Sequence, residues 1–128
     1  MDMDIAGRRV LVTGGSKGIG LACGMAFARE GCDLILVSRD AAALEKAAAD
    51  IRARHNVSVM VHAADLSDAV AREAMYQAHP DIDILVNNAG AIPGGTLQDI
   101  SLARWQEAWN LKVFGYIHLT QLYLRCVV

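Results

Sequence analysis

The chain has 128 residues, of which 54% are hydrophobic, and a formal net charge of −2. This length suits one domain with a single core, and the scattered basic residues of a nearly neutral chain exclude a nucleic-acid-binding surface. Apolar runs stay below the roughly 18 residues of a membrane helix, and the start "MDMDIAGRR" lacks the pattern of a signal peptide. We therefore expect a soluble, cytoplasmic protein without a membrane partner.

The first part of the chain alternates between predicted strands and helices. "RRVLVTG" is a short apolar strand ended by glycine, and "IGLACGMAFAREG" has apolar residues at helical spacing and closes at Gly31. "DLILVSR" is a second apolar strand. The alanine-rich "DAAALEKAAADIRARH" that follows predicts a helix capped by Asp40.

The alternation continues through the middle of the chain. "VSVMVHA" and "DILVNNAG" predict a third and a fourth strand, separated by a helix from about Ser67 to Ala78. The loop "AIPGGTLQD" precedes a last helical region that starts at about Ser101. Strands that are apolar on both faces belong to parallel sheets covered on both sides, so the predicted fold class is a doubly wound α/β domain.

The stretch "VLVTGGSKGIG", residues 10–20, places a glycine-rich loop between the first strand and the first helix. Backbone amides and the positive end of the helix dipole then point at one spot, which predicts an anion site. Gly14, Gly18 and Gly20 let the chain turn and leave room for a pyrophosphate beside the backbone. Alone, the loop is weak evidence, because glycine is also common in strand-to-helix turns that bind no ligand.

Four motifs occur in an order typical of one family. "TGGSKGIG" (residues 13–20), Asp65 in "AADLSD", "NNAG" (residues 87–90) and Asn110 in "WQEAWNLKVFG" together resemble the short-chain dehydrogenase/reductase family. The resemblance covers the chain from the first strand onward. It implies a three-layer, Rossmann-like domain with strand order 3-2-1-4, of which residues 1–128 are the amino-terminal part.

The resemblance also implies which residues bind a nicotinamide dinucleotide. In this family the glycine loop holds the pyrophosphate, the aspartate after the third strand faces the adenine, and the Asn-Asn-Ala-Gly segment lines the cofactor cleft. The matching positions are Gly14, Ser16, Gly18, Ile19, Gly20, Asp65, Leu66, Asn88, Ala89 and Gly90.

Several polar residues have structural alternatives. Asp65 or Ser67 is also suited to cap the helix that begins near residue 67, and Asn87 is predicted to tie neighbouring strands together. Asn110 is predicted to be buried within a helix, where its hydrogen bonds must be satisfied. The resemblance implies that Asn110 is catalytic, because it kinks the helix and holds a water of the proton relay; a purely structural role is the alternative.

The end of the second strand bears on which cofactor binds. A carboxylate at this position usually binds the ribose 2′-hydroxyl of NAD, whereas the 2′-phosphate of NADP needs cations. Ser38 is neutral, and Arg39 and Lys17 supply cations suited to a phosphate, so the sequence predicts NADP(H) rather than NAD(H). Asp40 lies about as far after the glycine loop as the acidic residue that binds the ribose in such sites, but it is assigned to the helix cap. Solvated surface charges are the alternative for Arg39 and Lys17.

The family's catalytic tyrosine and lysine have no counterpart in this sequence. The resemblance implies hydride transfer between the nicotinamide and a small carbonyl or alcohol substrate, with a tyrosine as general acid or base and a lysine four residues later. The fourth residues after Tyr76, Tyr116 and Tyr123 are Pro80, Thr120 and Val127. We therefore expect the amino-terminal half of an NADP(H)-dependent oxidoreductase that is inactive by itself. The alternative is a non-catalytic dinucleotide-binding or assembly module.

The cysteines and histidines give no sign of a disulfide framework or a metal site. The cysteines lack the spacing of either, so they are expected to be reduced and mostly buried: Cys23, Cys32 and Cys126. The histidines fall on different predicted elements without metal-ligand spacing, so they are expected to be solvated or packed: His55, His62, His79 and His118.

The last helical region is apolar around much of its circumference from Leu111 to Val128. Such a distribution predicts a helix that is covered on more than one side. The resemblance implies that one side packs on the sheet and that the other joins a subunit interface in a homo-oligomer.

Overall fold

The computed structural model describes residues 2–90 and 94–125. The described part contains a parallel sheet of four strands, β1 (Arg9–Thr13), β2 (Asp33–Ser38), β3 (Val59–Ala63) and β4 (Ile84–Val86). The strand order is β3-β2-β1-β4, which confirms the predicted Rossmann-like arrangement. Because the strands are parallel, their carboxyl ends meet at one edge of the sheet.

Helices connect the strands and lie on both faces of the sheet. The helices are, in chain order, α1 (Gly18–Arg29), α2 (Ala41–Arg54), α3 (Ala69–Ala78), α4 (Leu102–Trp109) and α5 (Gly115–Leu124). A π-helical turn, Asn110–Phe114, joins α4 to α5, so the last helical region is continuous but changes its hydrogen-bond pattern at Asn110. At the end of α1, Gly31 adopts the left-handed conformation with φ +85°, as a glycine after a helix commonly does.

Short polar side chains begin three of the helices. Asp40, Asp68 and Ser101 each accept a hydrogen bond from the backbone amide three residues later, at 3.0 to 3.3 Å. The predicted cap at Asp40 is therefore confirmed. The structural alternative, that Asp65 or Ser67 caps the third helix, is wrong, because α3 starts two residues beyond Ser67 and Asp68 supplies the cap.

Alternate residues of the central strands pack into two cores, one on each face of the sheet. One core lies under α1 and α2 and includes Val10, Val12, Leu34, Leu36, Leu44 and Ile51. The other lies under α3 and α5 and includes Leu11, Ile35, Val37, Met75, Leu119 and Leu122. This distribution confirms the three-layer α/β class and explains why the strands lack a polar face.

The described part of the last helical region is covered on one side. Leu119, Leu122 and Tyr123 are buried against the sheet, whereas Phe114 and Ile117 are more than half exposed. The cover predicted for a second side, at a subunit interface, stays a prediction, and Phe114 and Ile117 lie on the side that it concerns. Val127 and Val128, which belong to the same prediction, lie outside the described residues. No helix in residues 2–90 or 94–125 combines the length and apolarity that crossing a membrane requires.

The two cysteines in the described part of the chain are free thiols, and Cys126 lies outside it. Cys32 is buried and its Sγ contacts the backbone oxygen of Ile5 at 3.3 Å. Burial raises the pKa of the Cys32 thiol, and the charges of Glu30, Asp33 and Asp83 raise it further. Cys23 is partly exposed, so the prediction of mostly buried thiols is confirmed for Cys32 alone.

Candidate functional site

A cleft of about 600 Å³ opens at the edge of the sheet where the strands end. Parallel α/β sheets place their ligands at this edge, in the crevice where the strand order reverses. The cleft is lined by all but one of the residues predicted to bind the cofactor: Gly14, Ser16, Lys17, Gly18, Ile19, Ser38, Arg39, Asp65, Leu66, Asn88, Ala89 and Gly90. Val37, Asp40, Ala64 and Leu111 also line it, and the sequence did not assign them to the cofactor site.

The glycine loop turns sharply between β1 and α1. Gly14 and Gly18 have φ values of +67° and +58°, a conformation that favours glycine. A Cβ on Gly14 would lie 3.0 Å from the Cα of Ala89, so the loop and the segment after β4 approach each other closely. The residue before α1, Lys17, makes no side-chain cap hydrogen bond, and the first turn has no acidic residue. The amides at this helix end thus face the cleft without a side-chain acceptor, an arrangement that suits an anion.

Gly20 does not line the cleft. It is buried, and a Cβ at this position would collide with the backbone oxygen of Gly14 and lie 2.6 Å from Nδ2 of Asn88. Gly20 therefore acts by packing: its missing side chain lets α1 lie directly on the loop that precedes it. The cofactor-binding role that the motif implied for Gly20 stays a prediction.

Thr13, the last residue of β1, holds the segment after β4 in place. Its side chain is fully buried, and Oγ1 accepts hydrogen bonds from the backbone amides of Asn88 at 2.9 Å and Ala89 at 3.0 Å. The same hydroxyl donates to the backbone oxygen of Val86 at 3.2 Å. Thr13 was part of the recognised motif but received no role from the sequence, because its partners lie more than seventy residues away.

Two further contacts fix the segment after β4. Asn88 donates from Nδ2 to the backbone oxygen of Gly14 at 3.3 Å, and the hydroxyl of Tyr116 in α5 donates to the backbone oxygen of Ala89 at 2.7 Å. Burial raises the pKa of the Tyr116 phenol, which keeps it protonated as a donor. This wall of the cleft is therefore held from both the glycine loop and α5.

Asn87 does not tie neighbouring strands together as predicted. Its Nδ2 donates to Oγ1 of Thr120 at 3.2 Å, so the side chain joins the end of β4 to α5 instead. The physical reason is that the residue lies just beyond β4, where the adjacent element is a helix. Its Oδ1 is buried and has no hydrogen-bond partner among the described residues.

Asp65 shapes the turn that follows β3 while it lines the cleft. Its carboxylate accepts hydrogen bonds from the hydroxyl of Ser67 at 2.7 Å and from the amide of Ser67 at 3.1 Å. These bonds hold the pKa of the Asp65 carboxyl below its ordinary value, with a smaller contribution from the charge of Arg39. Asp65 is therefore a carboxylate at neutral pH and stands beside a cation.

The end of the cleft beside β2 contains both signs of charge. Ser38 ends β2, Arg39 and Asp40 follow it, and all three line the cleft, as does Lys17 of the glycine loop. The Asp40 carboxylate accepts from the amide of Ala43 at 3.0 Å, so one acidic side chain caps α2 and borders the cleft at once. The cleft therefore offers two cations, Lys17 and Arg39, and two carboxylates, Asp40 and Asp65, which already accept hydrogen bonds from the protein.

Asn110 lies apart from the cleft. It is exposed rather than buried as predicted, and it borders a separate groove lined by Leu102, Trp105, Gln106, Trp109 and Phe114. At Asn110 the helix changes to π-helical hydrogen bonding, and the residue is exposed. The next residue, Leu111, reaches the cleft.

Two of the four histidines lie closer together than their positions in the sequence suggested. His62 Nδ1 and His79 Nε2 are 3.3 Å apart, and the two rings meet edge to face. Burial lowers the pKa of both imidazoles, and the charges of His62 and Arg9 lower that of His79 further. No group of three potential metal-ligating side chains forms among the residues that the structure describes.

Comparison with known proteins identifies relatives of the whole chain. The sequence profile of the family described as "short chain dehydrogenase" matches residues 8–128. The chain is 30% identical over 129 residues to an uncharacterized oxidoreductase, YvaG, of Bacillus subtilis, covering 100% of this chain and 49% of that protein. It is 32% identical over 120 residues to D-xylose 1-dehydrogenase of Caulobacter vibrioides, covering 91% of this chain and 47% of that protein.

Solved structures show the same architecture. L-sorbose reductase from Gluconobacter frateurii, complexed with NADPH and L-sorbose, superposes with a TM-score of 0.90 at 33% identity, over 98% of this chain and 49% of that one. A short chain dehydrogenase from Burkholderia cenocepacia in complex with NADP gives a TM-score of 0.84 at 35% identity, over 94% of this chain and 51% of that one. The chain thus spans about half the length of the relatives it matches. From its matched residues, its strand order and its glycine loop, the chain belongs to the short chain dehydrogenase family.

Proposed function

We propose that the cleft binds NADP(H) and that the chain is the cofactor-binding half of an oxidoreductase. In this proposal the parent protein transfers hydride between the nicotinamide and a small carbonyl or alcohol substrate, as a cytoplasmic homo-oligomer. The observation that carries the proposal is the uncapped amino-terminal end of α1, which faces a cleft of about 600 Å³ at the carboxyl ends of the strands. A pyrophosphate fits such a site because it accepts hydrogen bonds from helix amides.

The preference for NADP(H) rests on the end of β2. Arg39 and Lys17 line the cleft, and a guanidinium can donate two parallel hydrogen bonds to the 2′-phosphate that distinguishes NADP from NAD. Asp40 also lines the cleft, but its carboxylate already accepts the amide of Ala43. The NADPH and NADP complexes of the two structural relatives support the same preference.

The remaining cofactor contacts follow from the position of each group around the cleft. Asp65 and Leu66 would meet the adenine, and Asn88, Ala89 and Gly90 would line the path toward the nicotinamide. The bound dinucleotide would donate or accept the hydride, whereas this chain would bind and orient the dinucleotide. Asn110 remains our candidate for a catalytic contact, and its exposure in this chain leaves its side chain accessible to substrate or water.

The chain alone is proposed to bind the cofactor without turning over a substrate. The sequence has no tyrosine followed four residues later by lysine, so this chain does not supply the acid–base pair of the family. A second candidate function is a non-catalytic binding or assembly module. It is favoured by large apolar side chains that are more than half exposed: Leu102, Trp109, Phe114, Ile117 and Leu124.

Calorimetric titration of the 128-residue chain with NADPH and with NADH tests the proposal. We expect NADPH to bind at least about tenfold more tightly than NADH, since charged hydrogen bonds to the 2′-phosphate are lost with NADH. Absence of binding by either nucleotide would refute the proposed cofactor site. Oxidation of NADPH by a carbonyl substrate, with a sample whose mass matches 13.7 kDa, would refute the inactivity of the isolated chain.

A further inference from the structure

Arg72 in α3 is a buried cation that lies outside the lining of the cleft. The residue is 6% exposed, and within the described part of the chain no carboxylate lies at ion-pair distance from its guanidinium. Burial lowers the pKa of the Arg72 guanidinium, and the charge of Asp68 opposes this shift. A buried charge is costly unless hydrogen bonds satisfy it, so its acceptors must hold firm positions around it.

The guanidinium joins three segments of the chain. Nη1 donates to the backbone oxygen of Leu66 at 2.6 Å and to that of Asn110 at 3.4 Å. Nε donates to Nδ1 of His118 at 2.9 Å. These acceptors belong to the turn after β3, the π-helical turn and α5. One side chain therefore links the turn after β3 to the π-helical turn and to α5.

Two of the linked segments form part of the cleft wall. Leu66 lines the cleft, and so does Leu111, the residue that follows Asn110. Arg72 contacts both segments through their backbone oxygens, from behind the wall. The separation of Leu66 and Leu111 therefore depends on the donors of one planar group, whose geometry is fixed.

Gly115 leaves the room that this arrangement needs. A Cβ at this position would lie 3.1 Å from the backbone oxygen of Asn110, 3.2 Å from that of Leu66 and 3.6 Å from Nη1 of Arg72. Gly115→Ala would therefore crowd these two oxygens and the guanidinium without changing any charge. Gly115 therefore offers an independent way to disturb the contacts of Arg72.

We infer that Arg72 is a positioning residue, whose guanidinium sets the spacing of Leu66 and Leu111 and thereby the width of the cleft. The inference rests on the proposed function for the identity of the ligand, NADP(H). The spacing itself depends on the hydrogen bonds described above. Arg72 acts on the cofactor through the cleft wall and makes no contact with it.

Titration with NADPH compares the wild-type chain with Arg72→Met and Arg72→Lys. Arg72→Met removes the donors from two backbone oxygens, and we expect about tenfold weaker binding. Arg72→Lys should recover part of the affinity, because an ammonium still reaches one of these oxygens. Arg104→Met, at an exposed position of α4, is the matched control and should change the affinity by less than about twofold.

Loss of stability must be separated from loss of positioning. Ile51→Val removes one methyl group from the core on the opposite face of the sheet, so it lowers the free energy of unfolding without reaching the cleft wall. We expect this variant to bind NADPH as the wild type does. If Ile51→Val weakened binding as much as Arg72→Met at equal loss of stability, the inference would be wrong.

Backbone amide signals in proton–nitrogen NMR spectra give a second measurement without nucleotide. The signals of Leu66 and Leu111 should shift in Arg72→Met and in Gly115→Ala, and stay in place in Arg104→Met. A folded Arg72→Met with unshifted signals and wild-type affinity overturns the inference. If the wild type binds no NADPH, the proposed function is wrong. The positioning role of Arg72 is then tested by the shifts of the Leu66 and Leu111 signals alone. If Arg72→Met does not fold, Arg72→Lys and Gly115→Ala decide by the same measurements.

Discussion

The hydroxyl of Thr13 accepts a hydrogen bond from the backbone amide of Asn88 at 2.9 Å, and this contact joins the ends of β1 and β4. Thr13 directly precedes the glycine loop, and Asn88 belongs to the segment Asn88–Gly90. Both the loop and this segment line the cleft. A fully buried hydroxyl that satisfies two amides cannot be removed without leaving donors unpaired.

Replacing Thr13 by valine keeps the volume of the side chain but removes its acceptor. We expect Thr13→Val to lower the free energy of unfolding by about 1–3 kcal/mol, because the amides of Asn88 and Ala89 lose their partner. NADPH affinity should fall as well, since both residues line the cleft. Urea unfolding and calorimetric titration measure these effects. Thr13→Ser, which keeps the hydroxyl, should retain most of both quantities; equal losses in the two variants would contradict this account.

A methyl group on Gly20 should disturb the glycine loop. Its Cβ would collide with the backbone oxygen of Gly14, so α1 and the loop must move apart. We expect Gly20→Ala to destabilise the fold by about 1–3 kcal/mol and to weaken NADPH binding. Gly24→Ala in the same helix is the control, because a Cβ there meets side chains at ordinary distances of 3.4 to 3.7 Å. Thermal unfolding should show Gly24→Ala to be at least as stable as the wild type, and similar losses in both variants would argue against a special role of Gly20.

Neutralising Arg39 should reduce the preference for the 2′-phosphate. We expect Arg39→Gln to weaken NADPH binding about tenfold or more, while NADH binding changes little, because NADH lacks the phosphate. Arg54→Gln is a control of equal charge change, since Arg54 is exposed and pairs with Asp50 at the end of α2. Titrations with both nucleotides provide the comparison. If Arg39→Gln lost affinity for NADPH and NADH to the same extent, Arg39 would not bind the 2′-phosphate.

The His62–His79 pair should make the fold less stable in acid. Burial lowers the pKa of both imidazoles in the folded chain, so the unfolded chain binds more protons just below the ordinary histidine pKa of about 6.5. The stabilisation is complete above that pH and is lost as the pH falls toward the lowered pKa values. Thermal unfolding of the wild type should therefore shift downward between about pH 7.5 and about pH 5.5. The shift should be smaller in His62→Gln, and an identical shift in the variant would exclude the pair as its cause.

The sequence predicted the elements and their class because these depend on short-range patterns. Apolar runs such as residues 33–38 identify strands, and Asp40 identifies the start of α2 from its immediate neighbours. The position of the cleft follows as well, since parallel strands with a glycine loop meet at one edge. The start of α3 was predicted near residue 67, with Asp65 or Ser67 as the alternative cap, whereas the backbone geometry selects Asp68.

The sequence by itself determined a Rossmann-like domain, its glycine loop and most of the residues that line the cleft. Only the tertiary structure decided that Thr13 holds Asn88, that Gly20 packs under the loop and that Asn110 is exposed. It also brought His62 to His79 and placed Arg72 behind the cleft wall. The physical reason is that periodicity and caps depend on neighbouring residues, whereas these contacts depend on how elements distant in the chain pack together.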